Sequence, residues 1–115
     1  MKLTRYVTQL LKGNTDVLIL STLEREPMYG HQILEAIEVA SDGTLSISEG
    51  TLYPALQRLT REGRIRPRWT TLPSGKERKY YVITPKGERW LAECRSQWGE
   101  FAAAFGRVAR GGASG

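Results

Sequence analysis

The stretch Ser48-Glu49-Gly50-Thr51-Leu52-Tyr53-Pro54-Ala55-Leu56-Gln57-Arg58-Leu59-Thr60-Arg61-Glu62-Gly63 decides how this chain is read. Ser46 or Ser48 offers a helix N-cap and Gly63 a terminator, so a helix runs to Glu62. At ~100° per residue, Leu52, Leu56, Leu59 and Gly63 fall within about 60° of one another and mark the inward face. Gly50, Thr51, Pro54, Gln57, Arg58 and Arg61 lie around the opposite side, with Tyr53 flanking them. That outward face has no large aliphatic residue. Arginine can pair with guanine through two bonds and glutamine with adenine, so the face suits a DNA major groove. The plainer alternative is a solvated face that happens to carry two arginines. Pro54 argues for more, because it removes a backbone bond one turn into the helix and presses on the carbonyl of Gly50. A kinked or tightened first turn is expected, and Gly50 and Thr51 leave the N-terminus open to anions.

Downstream, the periodicity becomes strand-like. Ile65–Thr71 and Arg78–Ile83 are rich in aromatic and β-branched residues and flank Pro73-Ser74-Gly75-Lys76, a turn cluster, which predicts a β-hairpin. Pro67 makes its first strand an edge or interrupts it. Lys76, Arg78 and Lys79 near the turn, with Arg66 and Arg68 opposite, form a second basic surface suited to a phosphate backbone or a minor groove. Charges that protect an edge strand from aggregation are the alternative. Thr84-Pro85 then supplies an N-cap and a first-turn proline for a last helix. Upstream, Leu3, Tyr6, Val7, Leu10 and Leu11 follow helical spacing; a second helix at about 15–25 is apolar nearly all round and stops before Pro27. Ile33, Leu34, Ile37 and Ala40 mark a third helix after Met28-Tyr29-Gly30-His31, where Tyr29 can serve either a phosphate contact or the core. Helices followed by a two-stranded hairpin make a winged helix-turn-helix, mainly α with a small β element. Residues 1–84 form this unit with its N-terminal helix, 85–110 the last helix, and 111–115 a flexible tail.

The chain has 115 residues, room for one domain. Seventeen Lys and Arg against twelve Asp and Glu leave +5, which favours a polyanionic partner. One cysteine, Cys94, excludes an internal disulfide, and with His31 the only histidine a Cys/His zinc site cannot be assembled. No nucleophile elbow accompanies His31, so an enzyme is not expected, nor a cofactor or metal. The longest strongly apolar run, Val17-Leu18-Ile19-Leu20, is far below a membrane span, and the N-terminus does not read as a signal peptide. A cytoplasmic protein is expected.

Several motifs together resemble the PadR family of bacterial transcriptional regulators: Leu10-Leu11-Lys12-Gly13, Tyr29-Gly30, Ser48-Glu49-Gly50-Thr51-Leu52-Tyr53-Pro54-Ala55-Leu56, Arg58-Leu59, Glu62-Gly63, Arg78-Lys79-Tyr80-Tyr81 and Thr84-Pro85-Lys86-Gly87. The resemblance covers about residues 8 to 92. It implies a dimeric winged-helix repressor on a palindromic operator, released by a small molecule or other signal, with the first and last helices building the dimer. It also implies that Thr51, Tyr53 and their neighbours contact DNA, joined by the wing turn at Gly75 and Lys76. The DNA-contacting set is then Tyr29, Ser48, Gly50, Thr51, Tyr53, Pro54, Gln57, Arg58, Arg61, Lys76 and Arg78. A chain ending soon after one C-terminal helix is similar to the short members of the family.

The last helix supports pairing independently. Leu91, Cys94, Trp98, Phe101, Phe105 and Val108 alternate in steps of three and four, the seam of a coiled coil. A body this small cannot bury such a seam alone, so a second copy covers it; packing on Leu3, Tyr6, Val7 and Leu10 of the same chain is the alternative. Trp90 and Trp98, doubled by two-fold symmetry, can form a slot for a flat aromatic effector by offset stacking. Cys94 has no evident cationic partner to make it a redox switch. The rival reading from another class is a winged-helix protein-interaction module that binds no DNA.

Overall fold

In the computed structural model, which describes residues 14–111, three short helices precede a hairpin and a long final helix. They are α1 (Thr15–Arg25), α2 (Gly30–Ala40), α3 (Glu49–Arg61), β1 (Ile65–Thr71), β2 (Glu77–Ile83) and α4 (Pro85–Ala109). The expected helix on Leu3, Tyr6, Val7 and Leu10 lies outside the described residues. α1 buries Ile19, Leu20 and Leu23, and its chain turns extended at Glu26, as a residue before proline prefers. α2 turns Ile33 and Ile37 inward, and α3 turns Leu52, Ala55, Leu56 and Leu59. These residues share one core with Ile65, Tyr81 and Leu91. No helix among the described residues is long and apolar enough to cross a membrane.

α3 runs through Pro54 without a break. Its first turn is tightened, since the Ser48 carbonyl accepts from both Thr51 N (3.1 Å) and Leu52 N (2.9 Å). The Ser48 hydroxyl caps the same end, accepting from Thr51 N at 3.2 Å.

The hairpin is antiparallel, with Ile65 opposite Ile83 and Thr71 opposite Glu77. Gly75 takes φ +90° in the turn, where only glycine is at ease. Met28 lies against the outer edge of β2, exchanging backbone bonds with Tyr81 at 2.8 and 3.3 Å. Because Tyr81 directs both its backbone groups towards Met28, Pro67, its opposite on β1, has no ladder bond to supply. The proline therefore sits in an edge strand without cost to pairing.

Thr84 fastens the parts together. Its hydroxyl donates to the Gly63 carbonyl at 2.6 Å and accepts from Gly87 N at 3.1 Å. Its own N–H donates to the Arg64 carbonyl at 3.0 Å, and Lys86 Nζ donates to the Glu62 carbonyl at 2.8 Å. Gly87 permits this closeness, since a Cβ there would stand 2.1 Å from the Arg64 oxygen. From this junction α4 runs for 25 residues, about 37 Å at the usual rise. The radius of gyration of 16.5 Å exceeds the ~13 Å of a compact chain of this length, because the outer part of α4 leaves the body.

The structure corrects the heptad reading of this helix at its first position. Leu91 is fully buried in the core of its own chain, because α4 crosses the body there before it projects. Further out, Trp98, Phe101, Phe105 and Val108 are 56, 63, 55 and 80% exposed.

Candidate nucleic-acid interface

Ser48, Gly50, Thr51, Tyr53, Pro54, Gln57 and Arg61 are all exposed on α3 and its cap, as the helical wheel requires once leucines hold the other side. Tyr53 is the least free of them. Its phenol lies over Gly30, where a Cβ would stand 2.3 Å from Oη. Burial pushes its pKa up, with Glu49 and Tyr81 adding to the shift. The absence of a side chain at the start of α2 thus makes the seat for an aromatic ring of α3.

The wing completes a cleft of about 370 Å³ lined by Tyr29, Gly30, Tyr53, Lys76, Arg78 and Lys79 among others. Tyr29 is half-buried, edge-on to Tyr80 at 5.5 Å, with the Arg78 guanidinium 4.1 Å above its ring. Its N–H donates to Gln32 Oε1 at 3.1 Å, which closes the start of α2. Lys76 is exposed at the turn. Tyr53 is thus the residue of α3 that shares this cleft with the wing's cations, while Thr51, Pro54 and Arg58 line a second hollow with Thr15 and Asp16 of α1. A rod of polar side chains beside a basic ribbon can enter a groove and grip its flanking phosphates.

Arg58 departs from its expected place. It does not stand free on the outward face: Nη1 donates to Asp16 Oδ2 at 2.6 Å and Nη2 to Oδ1 at 2.8 Å. That hydrogen-bonded pairing raises its pKa. The wheel places Arg58 on the outward side of α3, and a carboxylate on α1 draws its side chain sideways. Asp16 was not marked by any local pattern, because the partners are 42 residues apart. Trp69 was also missed; it is exposed on β1 with Lys79 Nζ 5.7 Å from its ring. An exposed tryptophan on a basic strand was the signal available for it.

The two indoles of α4 do not share one environment. Trp90 is half-buried against the core, with the Arg64 guanidinium 4.9 Å over its ring, while Trp98 lies in the exposed outer part. Eight residues of helix separate them, ~12 Å along the axis, so Trp90 is removed from the expected slot and Trp98 remains. Burial pushes the Cys94 thiol up, Glu93 adds to this and Arg64 opposes it.

The profile of the transcriptional regulator PadR-like family matches residues 19–93, which span α1 from Ile19 onward, α2, α3, the whole wing and the first turns of α4. The chain belongs to the PadR family. It is therefore a DNA-binding transcriptional regulator, and the protein-interaction module without DNA is set aside. A solved PadR family transcriptional regulator from Eggerthella lenta is 35% identical, with a TM-score of 0.79 over 92% of this chain and 90% of its own. A transcriptional regulator from Clostridium thermocellum is 30% identical, also with a TM-score of 0.79, over 86% of this chain and 96% of its own. The transcriptional regulator YqjI of Escherichia coli strain K12 is 31% identical over 74% of this chain, which spans 39% of that protein.

Proposed function

We propose that this regulator is a homodimeric repressor that seats α3 of each copy in successive major grooves of a palindromic operator and is released by a small molecule. The carrying observation is that α3 exposes Thr51, Pro54, Gln57 and Arg61 while Tyr53 of the same helix shares a cleft with Lys76, Arg78 and Lys79 of the wing. Thr51, Gln57 and Arg61 reach base edges; Ser48, Gly50, Tyr53 and Pro54 hold the helix start near the backbone. Lys76 and Arg78, with Tyr29 beneath, grip phosphates. The exposed Trp98, Phe101, Phe105 and Val108 support pairing through α4, with Cys94 at the inner end of the seam. Trp98, repeated by the two-fold axis, supplies the aromatic wall for a planar effector.

Selection of bound duplexes from a randomised pool tests this reading. The expected sites are inverted repeats with half-sites centred ~10 bp apart or a multiple of it. Gln57→Ala relaxes the selected sequence, whereas Lys76→Ala weakens all duplexes alike and flattens the salt dependence. Asymmetric single sites, or equal binding by both variants and the wild type, refute the docking. A reporter downstream of the selected site, silenced by the protein and restored by a planar aromatic that quenches tryptophan fluorescence, tests repression and release.

A further inference from the structure

Arg58 sits on the reading helix, yet its two terminal nitrogens are spent on Asp16. The pair is partly shielded, with 42% of the Arg58 side chain and 16% of Asp16 exposed. It does not stand alone. Arg58 Nη1 also lies 3.8 Å from Glu62 Oε1, Glu62 accepts from Arg64, and Arg64 covers Trp90. One flank of α3 is thus tied in series to α1, the root of the wing and α4. We propose that Asp16 and Arg58 are positioning residues for DNA reading: their two-pronged bridge sets how α3 is rotated on α1, so that Thr51, Gln57 and Arg61 meet the bases while Arg58 does not.

This proposal rests on the DNA-docking reading above and adds which arginine reads. A planar guanidinium held by two bonds to a carboxylate fixes direction as well as distance, which a single ionic contact does not. For Arg58 to reach a guanine it must leave Asp16, and the largely covered carboxylate then loses its partner beside a polyanion. Arg61, one turn further along and exposed, has no such tie among the hydrogen bonds and ion pairs of the described residues.

Asp16→Asn separates the possibilities by sign. It removes a negative charge near DNA and frees Arg58, so if Arg58 were a base reader held back by Asp16, operator binding would tighten. If the bridge positions α3, the variant instead loses about tenfold in affinity for the selected operator. Its affinity for random duplex holds or rises, so the specific-to-random ratio falls. Arg58→Lys keeps the charge but not the fork and lowers the ratio in the same direction. The exchanged pair, Asp16→Arg with Arg58→Asp, restores part of the ratio relative to either single change. Circular dichroism confirms that each variant is folded. Tighter operator binding by Asp16→Asn, or an exchanged pair no better than the singles, overturns the proposal while leaving DNA docking intact. A wild-type chain that binds no duplex overturns both.

Discussion

Gly30→Ala probes the seat of Tyr53 directly. The added Cβ would lie 2.3 Å from Tyr53 Oη, 2.8 Å from Cζ and 2.9 Å from Cε1. The ring cannot remain, but it is the far end of a two-torsion side chain and can swing aside. Overpacking of this kind costs about 1–3 kcal/mol, and reducing the freedom of the unfolded chain returns ~0.4–1 kcal/mol. The net loss ranges from almost nothing to about 2.5 kcal/mol, so the single variant alone decides little. The double-mutant cycle decides it. In a Tyr53→Ala background the obstruction is gone, and Gly30→Ala becomes mildly stabilising, leaving a coupling of about 1–3 kcal/mol. Urea unfolding followed by circular dichroism, at one protein concentration because the proposed pairing would add stability by mass action, supplies the four values. Tyr53→Phe retains Cζ and Cε1 and should preserve most of the coupling. Additivity within ~0.5 kcal/mol would mean that Tyr53 does not rest on Gly30, and the account of the cleft would fall with it.

Gly87→Ala should be costlier, ~2–4 kcal/mol, because its Cβ meets the Arg64 carbonyl oxygen, which is backbone and cannot swing away; an unchanged urea midpoint would contradict this. Stability should decline as pH climbs past about 10, where tyrosines in the unfolded chain release their protons. Burial raises the Tyr81 pKa, so the folded state holds that proton longer, and its contribution is complete below the unfolded pKa and lost as pH rises through the folded one. Tyr81→Phe should flatten the alkaline limb of the unfolding profile, and an identical limb would refute the assignment. Phe101→Glu with Phe105→Glu should shift sedimentation towards the monomer and abolish binding to a full palindrome. A variant that still sediments and binds as the wild type does would disprove pairing through the outer part of α4.

Local pattern carried much of the architecture. The cap at Ser48, the leucines of α3, the turn at Gly75 and the Thr84-Pro85 start of α4 are each written within a few neighbouring residues. Their outcomes in the structure agree with that reading because hydrogen bonds and helical phase act over the same short range. Arg58 shows where such reasoning ends: its direction is set by a carboxylate on another helix, and no wheel contains that helix. Leu91 shows a second limit. A three-and-four spacing marks a buried stripe but does not say whether the cover is the same chain or another. Gly30 is a third case, since its meaning lies in a ring brought to it by tertiary packing.

The bonds around Thr84 have a mechanical consequence. The end of α3, both ends of the wing and the root of α4 meet at one point. Leu91 in the core, with Arg95 bonded to Glu24 and Ser21, holds the first turns of α4 to α1, so the free arm starts beyond Arg95. From there to Ala109 it is ~21 Å long, and a tilt of ~8° carries its far end by ~3 Å, close to the ~3.4 Å step between stacked bases. On the paired reading proposed above, a guest wedged between two such arms would have no need to touch the reading surface. Changing the gauge between the two halves by one rung would then take them out of phase with the duplex.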